Sequence, residues 1–218
     1  MSTNARISIG IAVAFAAVIG VLLVLNGRGD DRGGQSAAAA AQDERLVRAD
    51  SHRLNKADDN KVTFVEFLDF ECEACRAAFP AVEQLREKYD GKVTFVVRYF
   101  PIQSHFNAER AARAVEAAAA QGKFEAMYRK MYDTQTEWGE KQVPADARFR
   151  TYAEQLGLNV AAWDKKYNDP ATLERIKKDV ADGDALGVTG TPTFFLNGKK
   201  LEPKSIDDLV ASIDAELR

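Results

Sequence analysis

Cysteine and histidine are scarce in this sequence, and their scarcity excludes several kinds of site. Its 218 residues contain two cysteines and two histidines, His52 and His105, which lack the ligand spacing of a structural zinc site. No nucleotide or flavin motif is present, and 30 basic residues against 33 acidic ones give a net charge of -3. We therefore expect a mildly acidic globular protein with no metal, no other cofactor and no basic face for nucleic acid.

The two cysteines, Cys72 and Cys75, lie two residues apart between a strand-like run and a helix-like run. A disulfide between them would close too small a loop to restrain the unfolded chain much. Besides a zinc site, the alternatives are two buried cysteines that act only as small apolar side chains, and a pair that reversibly forms a disulfide. The position at a strand–helix junction favours reversible thiol chemistry.

An apolar run from Ile7 to Leu25 is long enough to cross a bilayer as a helix. The alternative is a cleaved signal peptide, but its apolar region is usually shorter and a small-residue cleavage site should follow soon after. Such a site is found only at the more distant Ala37–Ala41. We therefore predict a membrane anchor over residues 1–25 and a flexible linker over residues 26–42, rich in glycine, serine, alanine and charge. Basic residues on both sides of the run do not decide its orientation.

The pattern from residue 43 to residue 218 is that of an α/β domain. Buried strands are predicted at Val62–Phe70 and Val93–Phe100, with a helix over Cys72–Tyr89 between them. Strand, helix and strand form the unit that builds a parallel sheet.

A mostly helical insert is predicted over about residues 104–186, in which Trp138 and Trp163 are expected to be core anchors. After the insert, Asn197-Gly198 predicts a hairpin turn, and Ser205 is expected to cap a final amphipathic helix.

Two segments resemble the DsbA-like thiol-disulfide oxidoreductases. They are Phe67–Cys75 (FLDFECEAC) and Gly187–Gly198 (GVTGTPTFFLNG), and the long helical insert lies between them. The resemblance covers roughly Asp43 to the carboxyl terminus and implies a thioredoxin-like fold with an inserted helical subdomain. With the predicted anchor, the chain resembles a membrane-anchored member of that family.

The resemblance implies roles for the residues around the pair. Cys72, at the amino end of its helix where the helix dipole favours a thiolate, would form mixed disulfides with clients, and the more buried Cys75 would resolve them. Thr191-Pro192 resembles the cis-proline loop that binds an extended client segment. Glu66 matches a buried acid that exchanges a proton with Cys75, and the alternative is an acid that reaches solvent or a lysine.

The two residues between the cysteines depart from the family pattern. Strongly oxidising relatives have proline and histidine there, whereas this chain has Glu73 and Ala74. Alanine cannot stabilise a thiolate as histidine can. Glu73, with Asp69 and Glu71 nearby, is expected to oppose a negative charge on the first cysteine.

Arg76 lies one helical turn after Cys72 and is expected either to offset this negative charge or to be a solvated surface group. Because a few charges can move the redox potential of such a pair widely, the direction of electron flow does not follow from the sequence.

The function we expect is that of an extracytoplasmic, single-pass membrane protein that oxidises client dithiols through Cys72 and Cys75. Its implied partners are exported proteins, the lipid bilayer at Ile7–Leu25 and a quinone-linked membrane protein that reoxidises the pair. A reductase or isomerase of the same fold is one alternative. A binding or holdase module that uses the Thr191-Pro192 groove without turnover is another.

Overall fold

A computed structural model describes residues 43–59 and 61–218 of the chain. The predicted anchor over residues 1–25 and linker over residues 26–42 lie outside the described residues. Within the described part, no helix combines the length and apolar character needed to cross a bilayer.

The described residues form a central five-stranded sheet in the order β1-β3-β2-β4-β5. β2 and β3 are parallel, as the strand–helix–strand pattern predicted, and the remaining neighbours pair antiparallel. The strands are β1 (His52–Asn55), β2 (Thr63–Leu68), β3 (Thr94–Tyr99), β4 (Thr193–Leu196) and β5 (Lys199–Leu201).

Helix α1 connects the parallel strands β2 and β3, six helices form the insert between β3 and β4, and α8 follows β5 in the described chain. The helix predicted over Cys72–Tyr89 is observed one residue shorter at each end. The short α4 and the edge strand β1 were not predicted. The helices are α1 (Glu73–Lys88), α2 (Ala108–Ala119), α3 (Phe124–Asp133), α4 (Gln135–Trp138), α5 (Asp146–Gln155), α6 (Val160–Tyr167), α7 (Pro170–Ala185) and α8 (Ile206–Glu216).

The core follows from the residue pattern of the strands and the insert. Every residue of β2 and β3 is buried, which is expected of parallel strands covered on both faces. Trp138 and Trp163 are 2% and 1% exposed, so the prediction that they anchor the core is confirmed. Their indole rings pack in the same apolar cluster as Phe70, Cys72 and Cys75. The core of the insert is therefore continuous with the surroundings of the cysteines.

The carboxyl-terminal turn and helix also form as predicted. Asn197 and Gly198 have φ angles of +46° and +86°, as the tight hairpin between β4 and β5 requires. The Ser205 hydroxyl accepts a hydrogen bond from the Asp208 amide, and the Asp208 carboxylate accepts one from the Ser205 amide. This capping box fixes the start of α8.

One arginine is completely buried in the central strand β3. Arg98 donates hydrogen bonds to the carboxylates of Asp179 and Asp182 on α7, at 2.8 and 2.6 Å. It also donates to the backbone carbonyls of Arg45 and Leu46. A buried charge needs such partners, and these bonds join the start of the domain to the sheet and to the last helix of the insert.

Helix α7 packs closely against the aromatic rings of the sheet region at Gly183. A Cβ atom placed on Gly183 would lie 2.7 Å from the ring of Phe100 and 3.2 Å from the ring of Phe67. Glycine at this position therefore sets the distance between the insert and the sheet.

Candidate active site

The two cysteines lie at the amino end of α1, directly after β2. Cys72 is the N-cap residue with an extended backbone, and its amide donates to the carbonyl of Asp69 at 3.3 Å. Both side chains are free thiols. Cys75 is 0% exposed and Cys72 is 8% exposed, so the expected order of burial is confirmed. Cys72 is nevertheless more enclosed than the exposed sulfur that the family resemblance implied.

The surroundings of Cys72 favour its thiolate. A hydrogen bond from the Cys75 thiol is the largest influence, and it lowers the pKa of Cys72 to about 6 although burial opposes the shift. Backbone amides of Ala74 and Cys75 at the helix start contribute in the same direction, as expected of a helix amino terminus.

Thr191 touches Cys72 directly. In the thiol form, Sγ of Cys72 donates to the carbonyl oxygen of Thr191 at 3.3 Å. The buried hydroxyl of Thr191 has no hydrogen-bond partner among the described residues, but the Thr191 side chain lies close enough to Cys72 to contribute to the lowering of its pKa. The Thr191-Pro192 peptide bond is cis and half-buried. The structure thus places this loop against the cysteine, and its role in client binding stays a prediction.

The pKa values of Cys75 and Glu66 are raised, whereas that of Cys72 is lowered. Burial, followed by the hydrogen bond to Cys72, raises the pKa of Cys75 well above its ordinary value. Burial is also the main reason that the pKa of Glu66 rises to about 8, with additional contributions from the charges of Glu83 and Cys72. Glu66 is 3% exposed and does not reach solvent as a surface acid would. At neutral pH both groups therefore hold a proton beneath the Cys72 thiolate.

The three residues predicted to tune the thiolate lie on the outer face of α1. Glu73, Ala74 and Arg76 are all exposed. The Arg76 side chain makes no hydrogen bond or ion pair within residues 43–59 and 61–218. Their influence on the cysteine pair stays a prediction.

The two acids that precede the pair, Asp69 and Glu71, are buried and accept hydrogen bonds. Asp69 is 1% exposed, and its carboxylate accepts hydrogen bonds from the amides of Glu71 and Ile102 and lies 2.6 Å from Nδ1 of His105. Its carboxylate thus faces a histidine and two backbone donors, and the expectation that it opposes a thiolate on Cys72 stays a prediction.

Glu71 is also buried, and it holds loops of the insert in place. Its carboxylate accepts hydrogen bonds from the amides of Asn107 and Glu140, at 2.5 and 3.1 Å. From α4, Gln135 donates to the carbonyls of Phe70 and Cys72, at 2.7 and 2.9 Å. The helical insert therefore fixes the turn that carries the first cysteine.

His105 lies beside the active-site turn although no role was predicted for it. The sequence did contain a signal for this proximity. Asp69 follows β2 and His105 follows β3, and the carboxyl ends of neighbouring parallel strands meet at one edge of a sheet. Pairing of the two strands, once predicted, therefore also predicts that their loops lie close together.

A protein-family model described as thioredoxin matches residues 56–215 of this chain. The matched range includes both cysteines, the helical insert and the cis-proline loop.

Similar segments occur in much longer curated proteins. The Na(+)/H(+) antiporter NhaA 1 of Mycobacterium sp. (strain KMS) is 32% identical over 177 residues, which cover 78% of this chain and 28% of that protein. The Na(+)/H(+) antiporter NhaA 3 of Salinispora tropica is 40% identical over 169 residues, 77% of this chain and 25% of that protein. The chain thus spans about a quarter of the length of these relatives.

Solved structures resemble the domain over most of its length. A thioredoxin-like oxidoreductase from Silicibacter pomeroyi DSS-3 has a TM-score of 0.68 and 26% identity, covering 80% of this chain and 97% of the other. For alpha-DsbA1 of Wolbachia pipientis the TM-score is 0.70 at 19% identity, with coverage of 79% and 93%. Oxidised BdbD of Bacillus subtilis has a TM-score of 0.68 and 20% identity, covering 77% of this chain and 92% of the other. These matches confirm the predicted thioredoxin-like α/β fold with a helical insert.

Proposed function

Because the chain belongs to the thioredoxin family, we propose that it is a thiol-disulfide oxidoreductase that works through Cys72 and Cys75. The observation that carries this proposal is the contrast within the pair. The pKa of Cys72 is lowered to about 6 and that of Cys75 is raised well above its ordinary value. A stabilised thiolate and a more deeply buried partner thiol suit one attacking sulfur and one resolving sulfur.

In the oxidising direction, the cycle starts from a disulfide between Cys72 and Cys75. A client thiolate attacks Sγ of Cys72, a client–Cys72 bond forms, and Cys75 leaves with the electron pair of the broken bond. The second client thiolate then attacks the client sulfur of the mixed disulfide and expels Cys72 as a thiolate. The client loses two electrons and the cysteine pair gains them.

Glu66 supplies the proton for this cycle. Because burial raises its pKa to about 8, its carboxyl is neutral at pH 7 and can protonate Cys75 as that sulfur leaves. The low pKa of Cys72 makes it a good leaving group in the second step. When the pair is reoxidised, the carboxylate of Glu66 takes a proton back from Cys75.

The direction that we propose is oxidation of clients. A stabilised Cys72 thiolate stabilises the reduced protein, so the disulfide form is a stronger oxidant.

We place the domain at the extracytoplasmic face of a membrane, attached through Ile7–Leu25 and reoxidised by a quinone-linked membrane protein. The apolar run supports attachment to the bilayer. Relatives named as antiporters, which contain a similar segment in a longer chain, support a domain that works at a membrane. An oxidising compartment suits a catalyst that forms disulfides.

The decisive experiment traps the mixed disulfide. Cys75→Ala is expected to accumulate client proteins on Cys72, visible as bands on a non-reducing gel that disappear with reductant, because the resolving sulfur is gone. Cys72→Ala is the matched control and should trap none. Trapped partners on Cys75 in Cys72→Ala alone would reverse the two roles, and full function of Cys72→Ser would favour a binding module without turnover.

The reduction potential of the pair distinguishes an oxidase from a reductase. It is measured by equilibration with glutathione, and the oxidase proposal requires a value well above that of thioredoxin, about -270 mV. A value near thioredoxin's would favour the reductase.

A further inference from the structure

His105 is fixed beside the active-site turn by a strong contact to a buried carboxylate. Its Nδ1 atom lies 2.6 Å from Oδ2 of Asp69, and the same oxygen accepts the amide of Ile102 at 3.0 Å. The other oxygen, Oδ1, accepts the amide of Glu71 at 2.8 Å. Burial raises the pKa of Asp69, while these N–H donors and His105 act against that shift, so the Asp69 carboxylate and the His105 imidazolium stabilise each other.

Asp69 also belongs to the turn that carries the first cysteine. Its backbone carbonyl accepts the amide of Cys72 at 3.3 Å. The side chain of Asp69 thus fixes His105, and its backbone fixes Cys72, through the atoms of a single residue. The imidazole of His105 and the thiol of Cys72 therefore keep a fixed relative position as long as this turn is intact.

We propose that His105, held by Asp69, supplies the positive charge that stabilises the Cys72 thiolate, in place of a histidine between the two cysteines. The inference rests on the proposed thiol-disulfide function. His105 is a positioning residue in this scheme, since it acts on the sulfur through its electric field.

The charges around His105 are consistent with this role. Burial by itself lowers the pKa of His105, but the hydrogen bond to Asp69 and the charges of Asp69, Cys72 and Glu71 raise it above its ordinary value. Its side chain remains 21% exposed, so the ring can exchange protons with solvent. The other charged residues of the groove that His105 lines are Glu109, Arg110, Arg113 and Asp146.

The interaction must be reciprocal. If a thiolate on Cys72 raises the pKa of His105, then an imidazolium at His105 lowers the pKa of Cys72 by the same free energy. In the disulfide form the sulfur carries no charge. The pKa of His105 should therefore differ between the reduced and the oxidised protein.

The first test measures this difference in the unaltered protein. Proton NMR follows the imidazole C–H signals against pH, and His105→Gln and His52→Gln assign the two histidines. The pKa of His105 is expected to be about 0.5–1 unit higher in the reduced protein than in the disulfide form, the size of an ordinary perturbation by one nearby charge. An equal pKa in both forms overturns the proposal.

The second test uses His105→Gln and reads the thiolate itself. Absorbance at 240 nm against pH gives the pKa of Cys72 in the reduced protein, which is expected to rise by about 0.5–1 unit in the variant. The glutathione equilibrium constant should shift about 3- to 10-fold toward the disulfide form, since the reduced form loses a stabilising charge.

His52→Gln is the matched control. His52 Nε2 also lies 2.6 Å from a carboxylate, that of Glu116, but its ring stacks on Phe124. This variant should leave the pKa of Cys72 unchanged. Equal shifts of the Cys72 pKa in His105→Gln and His52→Gln would overturn the proposal.

These measurements need no client. They can fail while the trapping experiment on Cys75→Ala succeeds, so failure of this inference and failure of the proposed function are distinguishable.

Discussion

Glu66 shows how one residue links the fold to the proposed chemistry. Its carboxyl lies in a strand in which every residue is buried, and burial raises its pKa to about 8 from an ordinary 4.5. In the unfolded chain the same carboxyl ionises near its ordinary pKa. Between these two values the folded protein holds a proton that the unfolded chain has released, so the contribution of Glu66 to stability falls as pH rises.

Replacement of Glu66 should therefore change the dependence of stability on pH. In the reduced wild-type protein, we expect Glu66 to cost a few kcal/mol of unfolding free energy as pH rises from 5 to 9, because each pKa unit is worth about 1.4 kcal/mol. Glu66→Gln should lack this loss, as measured by urea unfolding at pH 5, 7 and 9. Glu73→Gln removes an exposed acid and should follow the wild-type curve. Parallel curves for Glu66→Gln and wild type would contradict the prediction.

Glu66→Gln should also slow turnover. The amide cannot transfer a proton to Cys75, so formation of the mixed disulfide, the step in which Cys75 leaves, is expected to slow by about 10- to 100-fold, at the lower end of general acid–base effects. Stopped-flow kinetics over a range of pH would measure this. An unchanged pH–rate profile in the variant would argue against a proton role for Glu66.

At the scale of elements, the contact between α7 and the sheet depends on a missing side chain. Gly183 lets the helix backbone approach the ring of Phe100, where a Cβ atom would come within 2.7 Å. In a helix interior alanine is intrinsically better than glycine by about 1 kcal/mol. Packing and helix propensity therefore oppose each other at this position.

We expect the cost of the packing clash at Gly183 to exceed the gain in helix propensity. Gly183→Ala should lower the unfolding free energy by about 1–3 kcal/mol, the usual cost of overpacking, in spite of the gain in propensity. Chemical denaturation measures the change. Gly190→Ala is the control, because a Cβ atom there meets nothing within 4 Å. A stabilised Gly183→Ala variant would show that Phe100 moves aside at little cost.

The sequence predicts those elements whose signal is local. A recognisable residue pattern within a few positions marks the apolar runs before and after α1, the Asn197-Gly198 turn and the Ser205 cap. β1 was missed because His52–Asn55 is a short edge strand with no alternation of apolar residues. α4 was missed because its four residues are too few to show a period.

In the candidate site, too, the residues marked by a local pattern were predicted, whereas the contacts between distant segments were not. Cys72, Cys75 and Glu66 follow from spacing along one strand and one helix. The contact of His105 with Asp69 joins residues 36 apart in sequence, and it depends on which strands are neighbours. The burial of Glu71 likewise depends on loops of the insert, which no local pattern reveals.

At the scale of the whole molecule, Arg98 connects three distant parts of the chain. It binds carbonyls at residues 45 and 46 and carboxylates of Asp179 and Asp182, while it lies in the middle of the sheet with 0% exposure. Removal of the arginine alone would leave Asp179 as a buried acid without its main ionic partner on β3.

Arg98→Met should therefore be strongly destabilising. We expect a loss of about 3 kcal/mol, at the lower end of the cost of breaking a buried ion pair, because Arg175 still pairs with Asp179 and Arg48 with Asp182. Arg98→Met combined with Asp179→Asn should cost less than the sum of the two single changes. Arg150→Met is the control, since Arg150 bridges Glu154 and Asp164 at the exposed surface and should cost under about 1 kcal/mol. Additive losses in the double variant would contradict the coupling.

The unequal burial of the two cysteines also bears on chemical durability. Peroxide attacks thiolates, so it would convert Cys72 to a sulfenic acid long before it reached Cys75, which is 0% exposed and keeps its proton. The neighbouring Cys75 thiol can then condense with that sulfenic acid, with loss of water, and restore the disulfide. The reaction consumes the damaged form before it proceeds to irreversible sulfinic acid. A protein built in this way carries its own repair thiol, which protects Cys72 wherever oxidants reach the domain.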